Sequence, residues 1–239
     1  MKIKLNKIDR KIIQQRINNN DYQNLMPMII QYADFNVINY LYNNNFDERE
    51  ISKFYLYPDS TAVNLWLRIF KNDYKNKIVS TDFQNEILTD LNEHSKSVYL
   101  FGDADSVLRK VSVFLNNKFP NIKIKGKTSG YSYDNELLIN DINSGDVDIV
   151  FVGLGAGRQE QWILENYTKL NAKIVLSVGG WFQYLSKEKQ RAPILFRKFN
   201  LEWLFKLLNE FSRVWQRYLI GAPVFFKRII TKKIILIID

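Results

Sequence analysis

The stretch that most restricts how this chain folds runs from Asp146 to Trp162, Asp-Val-Asp-Ile-Val-Phe-Val-Gly-Leu-Gly-Ala-Gly-Arg-Gln-Glu-Gln-Trp. Ile149 to Val152 form a short unbroken apolar run, the pattern of a strand buried on both faces. Gly153, Gly155 and Gly157 follow in alternation and let the backbone turn sharply and approach a ligand closely. The polar run Arg158-Gln159-Glu160-Gln161 then opens an amphipathic segment with Trp162, Ile163 and Leu164. Strand, glycine turn and helix together place backbone N–H groups and a helix N-terminus beside whatever binds there, which suits a phosphate or diphosphate. A tight βα turn without a ligand reads the same way. No Lys-Ser/Thr pair follows the glycines, which argues against a P-loop.

A chain of 239 residues with 46% hydrophobic residues can bury one large α/β core, alone or with an appendage. It has no Cys, so disulfides and thiolate chemistry are excluded. The opening Met-Lys-Ile-Lys-Leu-Asn-Lys-Ile-Asp lacks the apolar core of a signal peptide. No run approaches the ~20 apolar residues of a spanning helix. The net charge of +9 is unevenly placed: Ser186 to Asp239 hold twelve Lys or Arg against four Asp or Glu. The expected organisation is an α/β domain over 1–185 and a basic amphipathic appendage over 186–239. The basic end implies an anionic partner, whether a lipid surface, a diphosphate or nucleic acid.

Along the chain, residues 1–32 read as a polar arm or short helix, with an apolar cluster from Leu25 to Ile30. Phe35 to Leu41 reads as a first strand running into a helix, punctuated by Asn36 and Asn39. Phe54 to Tyr57 is the next strand. Asp59 follows it and precedes an apolar helix with Leu65, Trp66, Leu67, Ile69 and Phe70, so it is either a helix cap or a ligand-facing residue at a strand's C-terminal end. Ser97 to Gly102, a helix near Ser106 to Lys118, and Ile122 to Gly126 form a strand–helix–strand unit, which implies a parallel sheet. His94 reads as a lone surface histidine. Lys173 to Val178 is another buried strand, ending in Gly179-Gly180. Leu201, Leu204, Leu208, Phe211, Trp215 and Tyr218 are spaced as one apolar helical stripe, with Arg213 and Arg217 on another face. Basic and apolar residues continue through Phe225 to Arg228 and Lys232 to Ile238.

Several of these segments resemble, in order, the motifs of the WecG/TagA/CpsF family of bacterial glycosyltransferases. Gly153 to Trp162 resembles GLGxPxQExW, with Gly157 at the proline. Pro58-Asp59-Ser60 resembles PDG, with Ser60 at the glycine, and Lys77 to Phe83 resembles RVxGTDL, with Lys77 at the arginine. Gly102 falls on the first glycine of LxGG, with Asp103 on the second, and Gly130-Tyr131 matches a GY pair. Gly179-Gly180 matches VGGAFDF, with Gln183 at the aspartate. Arg191-Ala192-Pro193 and Leu201-Glu202-Trp203-Leu204 match the start of the family tail, which extends through Arg213 and Arg217. The likeness covers about Asn36 to Leu219.

The resemblance implies a Rossmann-like, mostly parallel sheet flanked by helices, with a helical C-terminal appendage. It implies an inverting transferase that moves a sugar, of N-acetylmannosamine, glucose or related type, from a UDP-sugar to a polyprenyl-diphosphate-linked saccharide. The pathway would be cell-surface polysaccharide or teichoic acid synthesis. The family's proposed base falls on Asp59. Donor binding falls on Asn36, Asn39, Lys77, Thr81, Asp82, Gly102, Gly130, Tyr131, Gly153, Gly155, Gln159, Glu160, Gly179, Gly180 and Gln183. Arg191, Arg213 and Arg217 would meet a diphosphate or the acceptor. The family implies no bound metal and no other cofactor. It also implies a peripheral position at the inner face of the plasma membrane, reached through the basic C-terminal region, and self-association is an open expectation. A nucleic-acid partner is not expected, because the positive charge lies on an aromatic amphipathic tail without a nucleic-acid motif. A second reading stays open, a substituted member that binds nucleotide sugars and scaffolds other enzymes.

Overall fold

The strands follow the apolar runs. In the computed structural model, which describes residues 1–18, 26–70 and 80–238, they are β1 (Lys2–Leu5), β2 (Met28–Ala33), β3 (Phe54–Pro58), β4 (Ser97–Gly102), β5 (Lys123–Thr128), β6 (Val147–Gly153), β7 (Ala172–Ser177) and β8 (Ile235–Ile238). Six of them form one parallel sheet in the order β3-β2-β7-β6-β4-β5, flanked by helices. Every residue of β4 and β7 is buried, as strands covered on both faces require. The edge strand β5 alternates instead, turning Lys123, Lys125 and Lys127 outward. A charged edge of this kind discourages pairing with another sheet.

Contacts divide the chain into two compact units. One comprises Met1–Lys7, Tyr32–Val79 and Gln190–Asp239, with Leu5, Ile38, Leu56 and Phe225 in its core. The other comprises Ile8–Gln31 and Ser80–Lys189, with Leu100, Phe101, Phe151, Ile163, Leu176 and Phe182 in its core. Within the second unit the chain leaves β4 through the helix Asp105–Lys118 to β5, then returns through Asn135–Ser144 to β6 on the other side of β4. From β6 it continues through Arg158–Asn166 to β7. The direction of winding therefore reverses between β4 and β6, and in open parallel sheets ligands bind at the carboxyl ends of the strands flanking such a reversal.

Three expectations need correction. Phe35 to Leu41 is not a strand. Asp34 caps a helix, Phe35–Asn43, by accepting a 2.8 Å bond from the Val37 N–H, and Phe35, Ile38 and Leu41 fall on one buried face. The strand lies upstream in the supposed arm, where Met28 to Ile30 pair with Ile174 to Leu176 of β7. The C-terminal stripe is not one helix either. Glu210, at φ −132° and ψ 36°, separates Glu202–Asn209 from Phe211–Trp215, and a π-helical segment, Gln216–Gly221, leads into Ala222–Ile230. Finally, the isoleucine-rich end does not continue an amphipathic helix: β8 pairs with β1 in a two-stranded parallel sheet, as β-branched residues favour. Among the described residues, no helix is long and apolar enough to cross a membrane.

Candidate functional site

At the reversal between β4 and β6 the two strands end in glycines that are register partners, Gly102 and Gly153. Gly102 has φ +134°, and a Cβ there would lie 2.4 Å from the carbonyl of Gly153. A Cβ on Gly153 would lie 2.7 Å from the Phe182 ring. The Asp103 N–H donates to the Gly153 carbonyl at 3.2 Å, and the Gly130 N–H donates to the Asp103 carbonyl at 3.0 Å. Three loops are thus tied together by backbone hydrogen bonds. Gly155, at φ +84°, has no atom within 4 Å of where a Cβ would stand, so the turn is open there.

The turn is held from behind. Gln159 and Glu160 are fully buried. Glu160 accepts from the Gly157 N–H at 2.5 Å and from Gln159 Nε2 at 2.9 Å, while Gln159 Oε1 accepts from the Gly179 N–H at 3.2 Å. The pair therefore joins the glycine turn after β6 to the one after β7. Gly157 has φ +96°, a conformation closed to proline, and it supplies an N–H that proline lacks. Substituting glycine for the motif's proline thus gives Glu160 a donor.

Around this turn, Tyr131 is 72% exposed and Gly180 faces solvent. Gln183 is half-buried, its Oε1 4.0 Å from where a Gly180 Cβ would stand. Thr81 and Asp82 lie in the first turn of the helix Ser80–Glu93, with Asp82 exposed. Lys77 lies outside the described residues. Arg158 was not singled out from the sequence. Its guanidinium donates to the Gly130 carbonyl at 2.7 Å, bringing an exposed cation to the same loops.

The other unit holds Asp59 and the C-terminal arginines. The Asp59 N–H donates to the Ala33 carbonyl at 3.1 Å, which fixes the end of β3 against the end of β2. The next residue, Ser60, has φ +69° and caps the helix Thr61–Phe70 through Oγ, which accepts from the Val63 N–H at 3.4 Å. The cap role weighed for Asp59 thus belongs to its neighbour. Arg217 forms an ion pair with Asp34, through its Nη2 and the Asp34 Oδ2. Its guanidinium lies 5.7 Å from the Phe35 ring centre and 5.6 Å from that of Tyr218. Burial alone lowers the pKa of this arginine, but the negative charge of Asp34 and the fields of Tyr218, Tyr32 and Asp59 outweigh it and hold the pKa above its ordinary value.

The remaining candidates are placed differently. Arg213 is exposed and paired with Glu210 in its own turn, and Arg191 is half-buried. Asn36 is half-buried on the helix Phe35–Asn43. Asn39 donates to the Gly221 carbonyl at 2.8 Å and accepts from Arg228 at 2.8 Å, so its amide ties that helix to the C-terminal segment. Two Asp-x-Asp triplets stand in the sequence, Asp103-Ala104-Asp105 and Asp146-Val147-Asp148. Asp105 pairs with Arg109 and Asp148 with Lys173. Among the described residues, no three His, Asp or Glu gather as a ligand set.

A parallel sheet whose winding reverses between two strands that end in glycine turns is an architecture shared by many α/β enzymes. The model of the glycosyl transferase WecG/TagA/CpsF family matches residues 3–236, and the chain belongs to that family. It is a glycosyltransferase. An N-acetylglucosaminyldiphosphoundecaprenol N-acetyl-beta-D-mannosaminyltransferase of Bacillus subtilis (strain 168) is 35% identical over 175 residues, 73% of this chain and 67% of the relative. A transferase of the same name from Staphylococcus aureus (strain MRSA252) is 27% identical over 179 residues, 75% of this chain and 70% of the relative.

Proposed function

We propose that the chain transfers a sugar from a UDP-sugar, with inversion, to a polyprenyl-diphosphate-linked saccharide in cell-surface polysaccharide or teichoic acid synthesis. The observation that supports this reading is the open turn at Gly155 beside the paired strand ends Gly102 and Gly153, at the mouth of the crevice expected where the winding reverses. In sheets of this kind a nucleoside diphosphate lies at that place. The relatives' names supply the acceptor chemistry, an N-acetylglucosaminyl diphosphate lipid, and a transferred N-acetylmannosaminyl group. The donor sugar here is of that type, of glucose type or related.

In this reading the exposed Tyr131 ring stacks on the uracil, and Gln183 offers a donor and an acceptor to its edge. The helix N-terminus at Arg158, with the Arg158 guanidinium, meets the diphosphate. Gln159 and Glu160 act by holding the turn. Asp59 takes the proton of the acceptor hydroxyl. The freed oxygen attacks the anomeric carbon on the face opposite UDP, and UDP departs with the bonding electron pair. A positioned base contributes about 10²–10⁴-fold. The leaving diphosphate is stabilised by preorganised donors and cations, a role this reading gives to Arg217.

The C-terminal region combines twelve basic residues with exposed Ile194, Leu195, Phe199, Leu208 and Ile230, a composition suited to an anionic membrane surface. This supports a peripheral place at the inner face of the plasma membrane, where UDP-sugars and lipid diphosphates meet. Calorimetry with UDP on the wild type and on Gly155→Val tests the crevice. Affinity at least tenfold weaker in a folded variant is the expected outcome, and undiminished binding removes the crevice from the account. The scaffold reading draws on the substituted motif positions Ser60, Lys77, Gly157 and Gln183; Ser60 holds left-handed backbone (φ +69°) where the motif has glycine. Tight UDP binding with no transfer to any acceptor would favour it.

A further inference from the structure

We propose that Asp34 is a positioning residue of the transfer reaction, fixing the Arg217 guanidinium beside Asp59 and balancing its charge. The inference rests on the reaction proposed above. Nothing in the family motifs quoted for this chain includes Asp34; the structure singles it out.

Asp34 stands at the end of β2, with its side chain 3% exposed. Both carboxylate oxygens are committed. Oδ1 accepts from the Val37 N–H, capping the helix Phe35–Asn43, and Oδ2 takes Arg217 Nη2. A carboxylate pinned by a helix cap cannot swing, so it dictates where the guanidinium sits. The rings of Phe35 and Tyr218 hold the cation from two further directions. Arg217 Nε is buried and has no hydrogen-bond partner. A buried N–H left without an acceptor is costly, and an anionic oxygen admitted to the end of β2 would satisfy it. A diphosphate oxygen has that chemistry, from either the nucleotide or the lipid.

The Asp59 N–H is bonded at 3.1 Å to the carbonyl of Ala33, the residue before Asp34, so the base and the ion pair share one end of β2. An uncompensated guanidinium there would favour ionised Asp59 and weaken it as a base. Asp34 supplies the compensating charge. The groups that act on Arg217 are Asp34 ahead of the helix Phe35–Asn43, Tyr32 on β2, Asp59 after β3, and Tyr218 on its own segment.

The test is steady-state transfer by the full chain with Asp34→Asn and Arg217→Gln, measured across pH with donor and lipid acceptor varied separately. Asn keeps the helix cap and removes only the charge. For Asp34→Asn the expected result is kcat lower by about tenfold to hundredfold, KM for both substrates within about threefold, and the acid limb of the pH profile displaced to lower pH. Arg217→Gln should move that limb the other way. Loss confined to KM of the donor, or of the acceptor, would make Arg217 a simple binding group for that substrate and overturn the positioning role. So would an unchanged kcat and pH profile, or a lower melting temperature with the profile unmoved. A wild type that transfers nothing, or an Asp59→Asn variant as active as wild type, would instead overturn the reaction on which the inference stands.

Discussion

Gly102 and Gly153 face each other across β4 and β6, so close that a Cβ on Gly102 would lie 2.4 Å from the carbonyl carbon and oxygen of Gly153. The contact sits where the sheet reverses its winding, and it leaves no room for a side chain between the two strand ends.

Gly102→Ala should therefore destabilise the fold by about 2–4 kcal/mol, from the clash and from φ +134° together. Gly155→Ala should cost only about 1 kcal/mol, because its φ of +84° is strained for alanine but nothing lies near the new Cβ. Urea denaturation of the two variants gives the comparison. Equal losses would mean that the tight contact between Gly102 and Gly153 has no energetic weight.

Ser60 carries a φ of +69° where the family motif has glycine. Its capping bond to Val63 is long, at 3.4 Å, and glycine is a tolerable cap. Ser60→Gly should stabilise the protein by about 0.5–1 kcal/mol. A variant less stable than wild type would show that the serine hydroxyl outweighs the backbone strain.

Gln159→Leu should cost about 2–3 kcal/mol and weaken UDP binding. It removes the acceptor that the Gly179 N–H now has and a donor to buried Glu160. Gln161→Ala, on an exposed position of the same helix, should change neither stability nor binding. Calorimetry on both variants separates loss of turn geometry from a general loosening of the helix.

Much of this was legible in the chain. The apolar runs of β4, β6 and β7 and the glycines after them announce a parallel sheet with an open turn, because burial on both faces leaves no other pattern. Asp59 and the glycine motifs were legible through the family likeness. What escaped is tertiary. Met28 to Tyr32 looked like part of a polar arm, because the strand character there comes from pairing with β7 rather than from its flanks. Asp34 does not stand out in the sequence, because its partner Arg217 is 183 positions away. Arg158 was hidden inside a polar run, and only the fold brings it to Gly130. The break at Glu210 has no signature in a stripe whose spacing is regular throughout.

Acid should unfold the protein partly through Asp148. Burial raises its pKa, but the hydrogen bond from Lys173, bonds from Ser97 and the Lys173 charge outweigh that and hold it below the ordinary carboxylate value. A lowered folded-state pKa gives stability that is complete above the unfolded value, about 4, and lost as pH falls through the folded one. Asp148→Asn should lose about 2–3 kcal/mol at pH 7, since Lys173 stays buried. Its deficit should shrink below about pH 4. A deficit constant from pH 7 to 3 would mean that the ion pair is not its source.

The central claim is tested most directly by a transfer assay with purified protein in detergent or liposomes. A short polyprenyl-diphosphate N-acetylglucosamine acceptor is mixed with a panel of UDP-sugars, following UDP release and product mass, with Asp59→Asn alongside. The account predicts one added sugar from one donor, with inverted anomeric configuration. It predicts a rate at least about a hundredfold lower in the variant, with UDP binding intact. Failure of the wild type to bind UDP, or equal transfer by Asp59→Asn, would contradict it.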